Sequence, residues 1–238
     1  EKRRVIQFLE PYAVHIKTIP DLSDILSGRA TVDEIKELDI EDLLGRHSIK
    51  LNPDLLEKCI YNKVVLVTGA GGSIGSELCR QILTHKPNTL ILYELSEFSL
   101  YQVSQELDKS NTDNISLVFL LGSVQDQKRL VRVFSHYKVH TIYHAAAYKH
   151  VPLVEENIVE GIRNNIFGTC KAAKAAIETG VETFVLISTD KAVRPTNIMG
   201  ASKRLAEMVL QSLNDHHPQA TRFCMVRFGN VLGSSGSV

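Results

Sequence analysis

The chain has 238 residues, of which 44% are hydrophobic and 23% are charged, a composition ordinary for a globular protein. Lysine plus arginine and aspartate plus glutamate both number 27, so the formal net charge is zero and nothing in it favours a nucleic-acid partner. No apolar run approaches the roughly 18 residues of a membrane helix, so we predict no membrane span within this chain. The four cysteines and nine histidines have no metal-ligand spacing, which predicts reduced thiols and no metal site.

Residues 1–60 differ in pattern from the rest of the chain. They hold an apolar patch at Val5–Leu9 and two short helical patterns at Asp21–Ser27 and Val32–Leu38. We interpret this part as a linker or domain remnant that packs on the main domain, residues 61–238. Because the chain begins without methionine and stops just after a Gly/Ser segment, we expect it to be a fragment of a longer protein.

Short apolar runs alternate with longer amphipathic stretches in the main domain. The runs predict strands at Val64–Thr68, Thr89–Tyr93, Ser116–Leu121, Thr141–Ala145, Thr183–Ser188 and Phe223–Arg227. The stretches predict helices at Ile74–Leu83, Phe98–Leu107, Gln127–His136, Leu153–Thr179 and Met199–Leu213. Alternation at this spacing implies right-handed crossovers. We therefore predict an α/β fold with a doubly wound parallel sheet and helices on both faces.

A glycine-rich turn joins the first predicted strand to the first predicted helix, with Gly69, Gly72 and Gly75 at the junction. Glycine permits a sharp turn and lets backbone N–H groups approach a pyrophosphate, which then lies at the positive end of the helix dipole. A lone glycine triplet is weak evidence, but its position between a strand and a helix is the context that a dinucleotide-binding motif requires. We therefore predict a Rossmann-type dinucleotide site, in which Ser73 and Ile74 begin the helix beside the cofactor.

Glu94 follows the second predicted strand, about 20 residues beyond the glycines. A carboxylate there can accept hydrogen bonds from both ribose hydroxyls of adenosine, and it would repel the 2′-phosphate of NADP. No arginine follows directly to bind that phosphate. The sequence therefore predicts NAD rather than NADP as the cofactor.

Three further segments, His144–Pro152, Asn165–Thr169 and Ser188–Ala192, accompany the glycine motif. Together these motifs resemble the extended short-chain dehydrogenase/reductase superfamily. In that superfamily a Tyr-x-x-x-Lys pair follows the last segment, and the matching residues are Met199 and Lys203. A phenolate base is therefore missing at this position, which counts against simple dehydrogenase or epimerase chemistry.

The departure from tyrosine points to one branch of the superfamily. The Thr-Asp-Lys triplet after the fifth strand, the methionine and the segment Arg227–Ser237 look like the CapD-type polysaccharide biosynthesis proteins, the membrane-associated UDP-N-acetylglucosamine 4,6-dehydratases of bacteria. Lys17–Pro20 and Asp42–Arg46 resemble the stretch that joins that family's cytoplasmic regulatory domain to its dehydratase domain. The resemblance implies membrane helices upstream and, downstream of Val238, a region that completes the sugar-nucleotide pocket. It thus implies a cytoplasmic domain of a parent protein at the bacterial inner membrane, and it is compatible with a homo-oligomer.

The resemblance also implies a reaction that is redox-neutral overall. Hydride leaves C4 of a UDP-sugar for NAD, water is lost across C5 and C6, and the hydride returns to C6. Asp190 would be the acid for the departing C6 hydroxyl, which requires a raised pKa, and Lys191 would be the base at C5. Thr189 would hydrogen-bond the C4 oxygen, and Lys203 would hold the nicotinamide ribose.

The base for the C4 hydroxyl is left open, with ionised Asp190 acting through a water as one route. Met199 packs either beside the nicotinamide or sugar or simply within the core.

Further contacts are expected around the same cavity. Ser123 and Val124 are expected at the adenine, although many extended members carry aspartate at the position of Ser123. Ala145 and Ala146 end the fourth predicted strand and are expected beside the cofactor. Asn165 is expected to bridge backbone groups around that strand. The candidate substrate contacts are Lys149, Asn230, Ser234 and Ser235.

Two other functions compete with the dehydratase. One is a nucleotide-sugar 4-epimerase, against which Met199 counts, and the other is a non-catalytic dinucleotide sensor. By analogy alone we expect retention of configuration at C5. We also expect weak or no activity from residues 1–238 by themselves.

Overall fold

The computed structural model describes residues 58–218 and 220–231, together with the backbone of two short strands nearer the amino terminus. Those strands, β1 (Lys17–Thr18) and β2 (Lys36–Glu37), pair antiparallel. The chain divides into two compact units, Glu1–Asn52 and Pro53–Val238.

One helix expected near the amino terminus is wrong in part. The pattern at Val32–Leu38 predicts a helix, but its residues Lys36–Glu37 form β2. Pairing with a partner strand sets this backbone, and local periodicity does not reveal such a partner. Val5–Leu9, Asp21–Ser27 and Asp42–Arg46 lie outside the described residues.

Six parallel strands form the main sheet, in the order β5-β4-β3-β6-β7-β8. Their bounds are β3 Val64–Thr68, β4 Thr89–Glu94, β5 Ser116–Leu121, β6 Thr141–His144, β7 Thr183–Thr189 and β8 Arg222–Phe228. Every predicted strand of the main domain is confirmed, with ends that shift by at most one residue. The strand order reverses between β3 and β6, which confirms the doubly wound parallel sheet and marks the crevice where such sheets bind ligands.

Helices connect the strands on both faces of the sheet. They are α1 Ser73–Thr84, α2 Glu97–Ser110, α3 Gln127–Tyr137, α4 Val151–Glu156, α5 Ile158–Ile162, α6 Thr169–Thr179 and α7 Ile198–His216. A π-helical segment, Arg163–Gly168, joins α5 to α6, and a short 3₁₀ turn, Asp190–Ala192, follows β7. Within the described part of the chain, no helix combines the length and apolar character needed to cross a membrane.

The helix expected over Leu153–Thr179 is confirmed in its extent, but Asn157 interrupts it and one of its turns is π-helical. Asn157 leaves helical geometry with φ −125° and ψ 54°, which separates α4 from α5. The π-helical segment then adds a wider turn that buries Asn164 and Asn165. Asn165 uses its side-chain amide to bond the backbone of Tyr148, so a tertiary contact rather than local propensity shapes this turn.

Alternating residues of the central strand build two cores. Leu66 of β3 packs on one face with α3, α6 and α7, whereas its neighbours Val65 and Val67 pack on the other face with α1 and α2. All three are fully buried, because both faces of β3 are covered. The loops at the carboxyl ends of the strands are thus held on a rigid sheet.

Candidate functional site

Three adjoining cavities lie at the carboxyl edge of the sheet. The glycine-loop cavity, about 630 Å³, is lined by the turn after β3 and by α4 and α5. The β7 cavity, about 380 Å³, is lined by the ends of β7 and β8 and by the start of α7. The Glu94 cavity, about 220 Å³, lies beside the ends of β4 and β5. Ala145, Ala147 and Tyr148 after β6 line all three, so the cavities form one branched crevice.

The glycine turn can accept no larger side chain at two of its positions. Gly69 has φ +66°, and a Cβ there would lie 2.6 Å from the backbone nitrogen of Ala146. A Cβ on Gly75 would lie 2.0 Å from the carbonyl oxygen of Gly69. Gly72 precedes the first residue of α1, Ser73, so the N–H groups of the first helical turn open onto the glycine-loop cavity beside Ile74. This cradle of backbone donors fits a pyrophosphate.

Glu94 ends β4 at the mouth of the Glu94 cavity and holds the turn in place. Its carboxylate accepts hydrogen bonds from the backbone N–H groups of Gly71 at 2.9 Å, Leu95 at 2.8 Å and Ser96 at 3.0 Å. Glu94 therefore lies beside the crevice, as the sequence predicts. Its carboxylate also holds the glycine turn, which sequence spacing alone does not indicate.

The other residues expected at the cofactor line the same cavity. Ser123, Val124, Ala145 and Ala146 all border it. The Ser123 hydroxyl accepts a hydrogen bond from the backbone N–H of Gln125 at 3.1 Å, so it is fixed within its own turn. Val124 is buried, which provides an apolar surface of the kind that a flat base contacts.

The catalytic candidates after β7 form a compact turn. The Thr189 hydroxyl donates to the Asp190 carboxylate at 3.0 Å and accepts from the backbone N–H of Lys191 at 3.3 Å. The Lys191 ammonium donates to Asp190 at 3.4 Å and to the side-chain oxygen of Asn230 at 2.8 Å. Thr189, Lys191 and Asn230 line the β7 cavity, whereas Asp190 lies beside these lining residues. The structure thus brings four predicted residues into mutual contact.

The pKa of Asp190 is lowered in the absence of a substrate, whereas the raised pKa of the acid role is expected when bound substrate buries the carboxyl. The hydrogen bond from Thr189 is the largest of the influences that lower the pKa of this carboxyl below its ordinary value, and the charge of Lys191 acts in the same direction. Partial burial is the second-largest influence and raises the pKa, but it does not reverse the decrease, since the side chain is 59% exposed. Asp190 is therefore ionised near neutral pH in the absence of a ligand.

Lys203 lies in the second turn of α7, on its buried face, and is only 5% exposed. Its ammonium donates to the carbonyl oxygen of Ile187 at 2.7 Å and borders the β7 cavity. Burial lowers the pKa of Lys203 to about 8, while the negative charge of Glu207 opposes the decrease. The side chain is therefore held at the wall of the β7 cavity.

Met199 begins the buried face of the same helix, one turn before Lys203. It is 4% exposed and lines the β7 cavity, so it is both a core residue and part of the cavity wall. The two interpretations of this methionine from the sequence are therefore compatible.

The substrate candidates divide into two groups. Lys149 is exposed and lines the glycine-loop and β7 cavities, and Asn230 lies at the end of β8. Ser234 and Ser235 lie outside the described residues.

Two features of the site were not expected from the sequence. The first is Tyr148, which borders every branch of the crevice. The side chain of Asn165 bonds both the backbone N–H and the carbonyl oxygen of Tyr148, so the bridging role expected of Asn165 is confirmed. The second feature is Glu207, a fully buried carboxylate beneath the β7 cavity that contacts Arg227. A charged residue on the otherwise buried face of a helix is a signal that could have identified Glu207.

Comparisons of this chain with known proteins agree on one family. The model of a family described as polysaccharide biosynthesis protein matches residues 65–238. The chain is 50% identical over 225 residues to the capsular polysaccharide biosynthesis protein CapD of Staphylococcus aureus, a match that covers 94% of this chain and 37% of that protein. It is 35% identical over 178 residues to a UDP-N-acetylglucosamine 4,6-dehydratase (inverting) of Campylobacter jejuni and 34% identical over 181 residues to a UDP-glucose 4-epimerase of Rickettsia conorii. Each of these two matches covers 74% of this chain and 51% of the relative.

Solved structures share the fold. Pen from Bacillus thuringiensis matches with a TM-score of 0.70 and 33% identity, over 75% of this chain and 53% of that one. A double mutant of DesIV, a dTDP-glucose 4,6-dehydratase from Streptomyces venezuelae with NAD bound, matches with a TM-score of 0.60 and 23% identity, over 68% of this chain and 54% of that one. The chain spans 37% to 51% of the length of the three curated relatives above. The resemblance inferred from the motifs is thus confirmed, and the chain belongs to the polysaccharide biosynthesis protein family.

Proposed function

We propose that this chain is the dinucleotide-binding and catalytic part of an NAD-dependent nucleotide-sugar 4,6-dehydratase that acts on UDP-N-acetylglucosamine or a similar UDP-sugar. The arrangement at the end of β7 carries the proposal: Asp190 and Lys191 meet beside a cavity in which Met199 takes the position of the usual tyrosine. The names of the CapD and Campylobacter relatives support this reaction and a role in surface polysaccharide synthesis.

We propose one orientation for NAD in the crevice. The N–H groups of Ile74 and Gly75 in the first turn of α1 would hold the pyrophosphate, and Gly69, Gly72 and Ser73 would line its site. Glu94 would accept from the adenosine ribose and disfavour a 2′-phosphate, which is why we propose NAD over NADP. The adenine would lie near Ser123 and Val124, and the nicotinamide ribose would reach Lys203 past Ala145 and Ala146. When bound, NAD would accept a hydride from C4 of the sugar and return it to C6.

Ionised Asp190 suits the first proton transfer. Because it is ionised near neutral pH, Asp190 can accept the proton of the C4 hydroxyl, directly or through a water. Thr189 would then move its hydroxyl from Asp190 to the C4 oxygen, since the protonated carboxyl no longer attracts it as strongly. This order removes the need for a tyrosine, because the proton leaves on the carboxylate.

The same two residues can complete the elimination. Lys191, when neutral, would take the proton from C5, and Asp190 would give its proton to the C6 hydroxyl, which leaves as water. Lys191 would return the proton to C5 after C6 is reduced, so the net change is the loss of one water. Because one base delivers the proton from the face on which it removed it, we propose retention at C5. Lys149 and Asn230 would contact the diphosphate or the sugar, as would Ser234 and Ser235.

The two alternatives make different demands on these residues. A 4-epimerase as usually run relies on the tyrosine that Met199 replaces, and it needs neither an acid for the C6 hydroxyl nor a base at C5. A cofactor sensor needs no acid or base, so Asp190→Asn would leave its function intact.

The test uses the full-length protein that contains this chain, incubated with UDP-N-acetylglucosamine and followed by mass spectrometry. We expect a product lighter by one water, without accumulation of NADH, and a loss of turnover of about 10²–10⁴-fold in Asp190→Asn with unchanged NAD affinity. Asp113→Asn, on a distant loop, is the matched control. A product of equal mass would instead establish an epimerase, and tight NAD binding without any product would favour the sensor. Proton NMR of the product reports the configuration at C5.

The cellular setting follows the family resemblance. We propose that the parent protein is anchored at the bacterial inner membrane, with this chain on the cytoplasmic side, and that it forms a homo-oligomer. Fractionation of cells and light scattering of the purified full-length protein test these two statements separately.

A further inference from the structure

A fully buried carboxylate lies directly beneath the catalytic turn and belongs to none of the steps described above. Glu207 is 0% exposed and follows Lys203 by one turn of α7. An unpaired charge at this depth would be strongly destabilising, so its partners reveal what the carboxylate holds together.

One carboxylate oxygen of Glu207 connects two strands. It accepts a hydrogen bond from the Ser188 hydroxyl at 2.6 Å and another from Nε of Arg227 at 2.8 Å. Ser188 immediately precedes Thr189, and Arg227 lies three residues before Asn230. The ends of β7 and β8 are therefore fastened to the same atom of α7.

The second oxygen completes a bidentate pair and adds one outer contact. It accepts from Nη2 of Arg227 at 2.5 Å and from Nη1 of Arg204 at 3.1 Å. A bidentate arginine–carboxylate pair fixes orientation as well as distance. Arg204 comes from the solvent side, with a side chain that is 40% exposed, and it touches neither strand end.

Residues adjacent to the partners of Glu207 connect this carboxylate to the proposed catalytic groups. Lys203 bonds the carbonyl oxygen of Ile187, the residue before Ser188, so α7 contacts two successive residues of β7. At the other side of the cavity Lys191 bonds Asn230. A shift of β8 against β7 would separate Lys191 from Asn230, and a shift of α7 would displace Lys203.

We infer that Glu207 is a positioning residue of this site, whose carboxylate fixes the ends of β7 and β8 and the start of α7 in the relative positions that catalysis requires. The inference rests on the proposed dehydratase function for its effect on turnover. Its structural effect can be measured without any substrate.

The chain offers a matched pair of variants, since Ser188→Ala and Arg204→Gln each remove one hydrogen bond from the same carboxylate. Only Ser188 belongs to a strand that carries catalytic residues. Glu207→Gln removes the charge but keeps the shape, and the two arginines it releases are partly exposed, so water can solvate them.

The experiment measures kcat, KM, NAD affinity and amide hydrogen exchange in the full-length protein. In Glu207→Gln we expect kcat to fall 10- to 100-fold and NAD affinity to change less than threefold, with faster exchange at residues 189–191 and 228–231. Ser188→Ala should show the same pattern more weakly, and Arg204→Gln should match the wild type.

Two results would overturn the inference. The first is a Glu207→Gln variant with the same kcat as an active wild type. The second is amide hydrogen exchange that is unchanged at both strand ends in that variant. If the wild type forms no product, the proposed function fails, and the exchange measurement alone then decides whether Glu207 positions the strand ends.

Discussion

The two halves of the sheet, β3–β5 and β6–β8, differ in how completely they are buried and in the functional groups that they present. In the first half both faces are covered, and Val67 is fully buried, whereas in the second half Val226 of β8 is 47% exposed. Val185 and Ile187 of β7 belong to neither of the two cores that the described residues form. The functional groups differ in the same way, because the first half presents backbone N–H groups of a glycine turn and the second presents the side chains of Asp190 and Lys191.

This difference predicts how each half responds to change. A site made of backbone is sensitive to the shape of the turn, whereas a site made of exposed side chains is sensitive to the chemistry of single groups. The cofactor half should therefore fail through steric substitutions, and the catalytic half should lose turnover while the fold is preserved.

The largest effect on the cofactor half is expected from Gly75→Ala. The new methyl group would lie 2.0 Å from the Gly69 carbonyl oxygen, a backbone atom that cannot rotate away. Overpacking of this kind costs ~1–3 kcal/mol, which corresponds to a loss of NAD affinity of about 10- to 100-fold if it falls on the cradle. Titration calorimetry with NAD measures it.

The control for this substitution is Gly180→Ala at the end of α6. Gly180 also has a positive φ of +72°, but nothing lies within 4 Å of its added Cβ. This variant should lose about 1 kcal/mol of stability and bind NAD normally. Normal NAD binding by Gly75→Ala would show that the cradle tolerates a side chain, contrary to the comparison.

The next effect concerns the choice between NAD and NADP. Glu94→Gln removes the negative charge at the mouth of the Glu94 cavity, so the ratio of NAD to NADP affinity should fall about tenfold. Glu97→Gln, on the exposed first turn of α2, is the charge-matched control. An unchanged ratio would place cofactor selectivity elsewhere in the crevice.

A smaller effect is expected from pH, through Lys203. Its pKa is lowered to about 8, so the ammonium loses its proton as pH rises through that value. NAD affinity should then fall about twofold between pH 7 and pH 8 and fall further by pH 9, where it approaches the affinity of the uncharged form, because the protonated form binds the cofactor more tightly. Burial lowers the pKa of nearby His144 to about 3, so this histidine stays neutral throughout the range.

Lys203→Gln provides the comparison for this titration. The variant should bind NAD more weakly at pH 7 and show no change between pH 7 and pH 9. A wild-type affinity that is flat over the same range would mean that the charge of Lys203 does not contribute to binding.

The smallest expected effect is on the free energy of unfolding, and it compares the covered strand β3 with the partly exposed strand β8. Val67→Ala should lower the free energy of unfolding by about 2 kcal/mol, whereas Val226→Ala should change it by less than about 0.5 kcal/mol. Urea unfolding of the two variants measures both values. Equal losses would indicate that β8 is covered as completely as β3.

The sequence was most informative where a property depends on neighbours along the chain. Apolar runs placed all six strands of the sheet, and the glycine turn was located because its strand and helix adjoin it. The π-helical turn at Arg163–Gly168 could not be read in this way, because it buries Asn165 against the backbone of Tyr148, 17 residues away along the chain. Such a contact exists only after the chain has folded.

The site shows the same limit. Thr189, Asp190, Lys191 and Asn230 were assigned from motifs and do meet in space. The lowered pKa of Asp190 in the absence of a substrate was not predicted, because it depends on how the Thr189 hydroxyl is placed just before the 3₁₀ turn. Residue identity gives the chemistry that is available, but local geometry decides in which protonation state it starts.

The bond between Asn165 and Tyr148 has a consequence for how this protein selects ligands. The amide of Asn165 engages both the N–H group of Tyr148 at 2.8 Å and its carbonyl oxygen at 2.9 Å, as a neighbouring strand would. The backbone at the meeting point of the three cavities is thus fastened to a buried helix rather than free to follow a ligand. Ligands that occupy these cavities would therefore meet a fixed template and would influence one another chiefly by direct contact along the wall that they share.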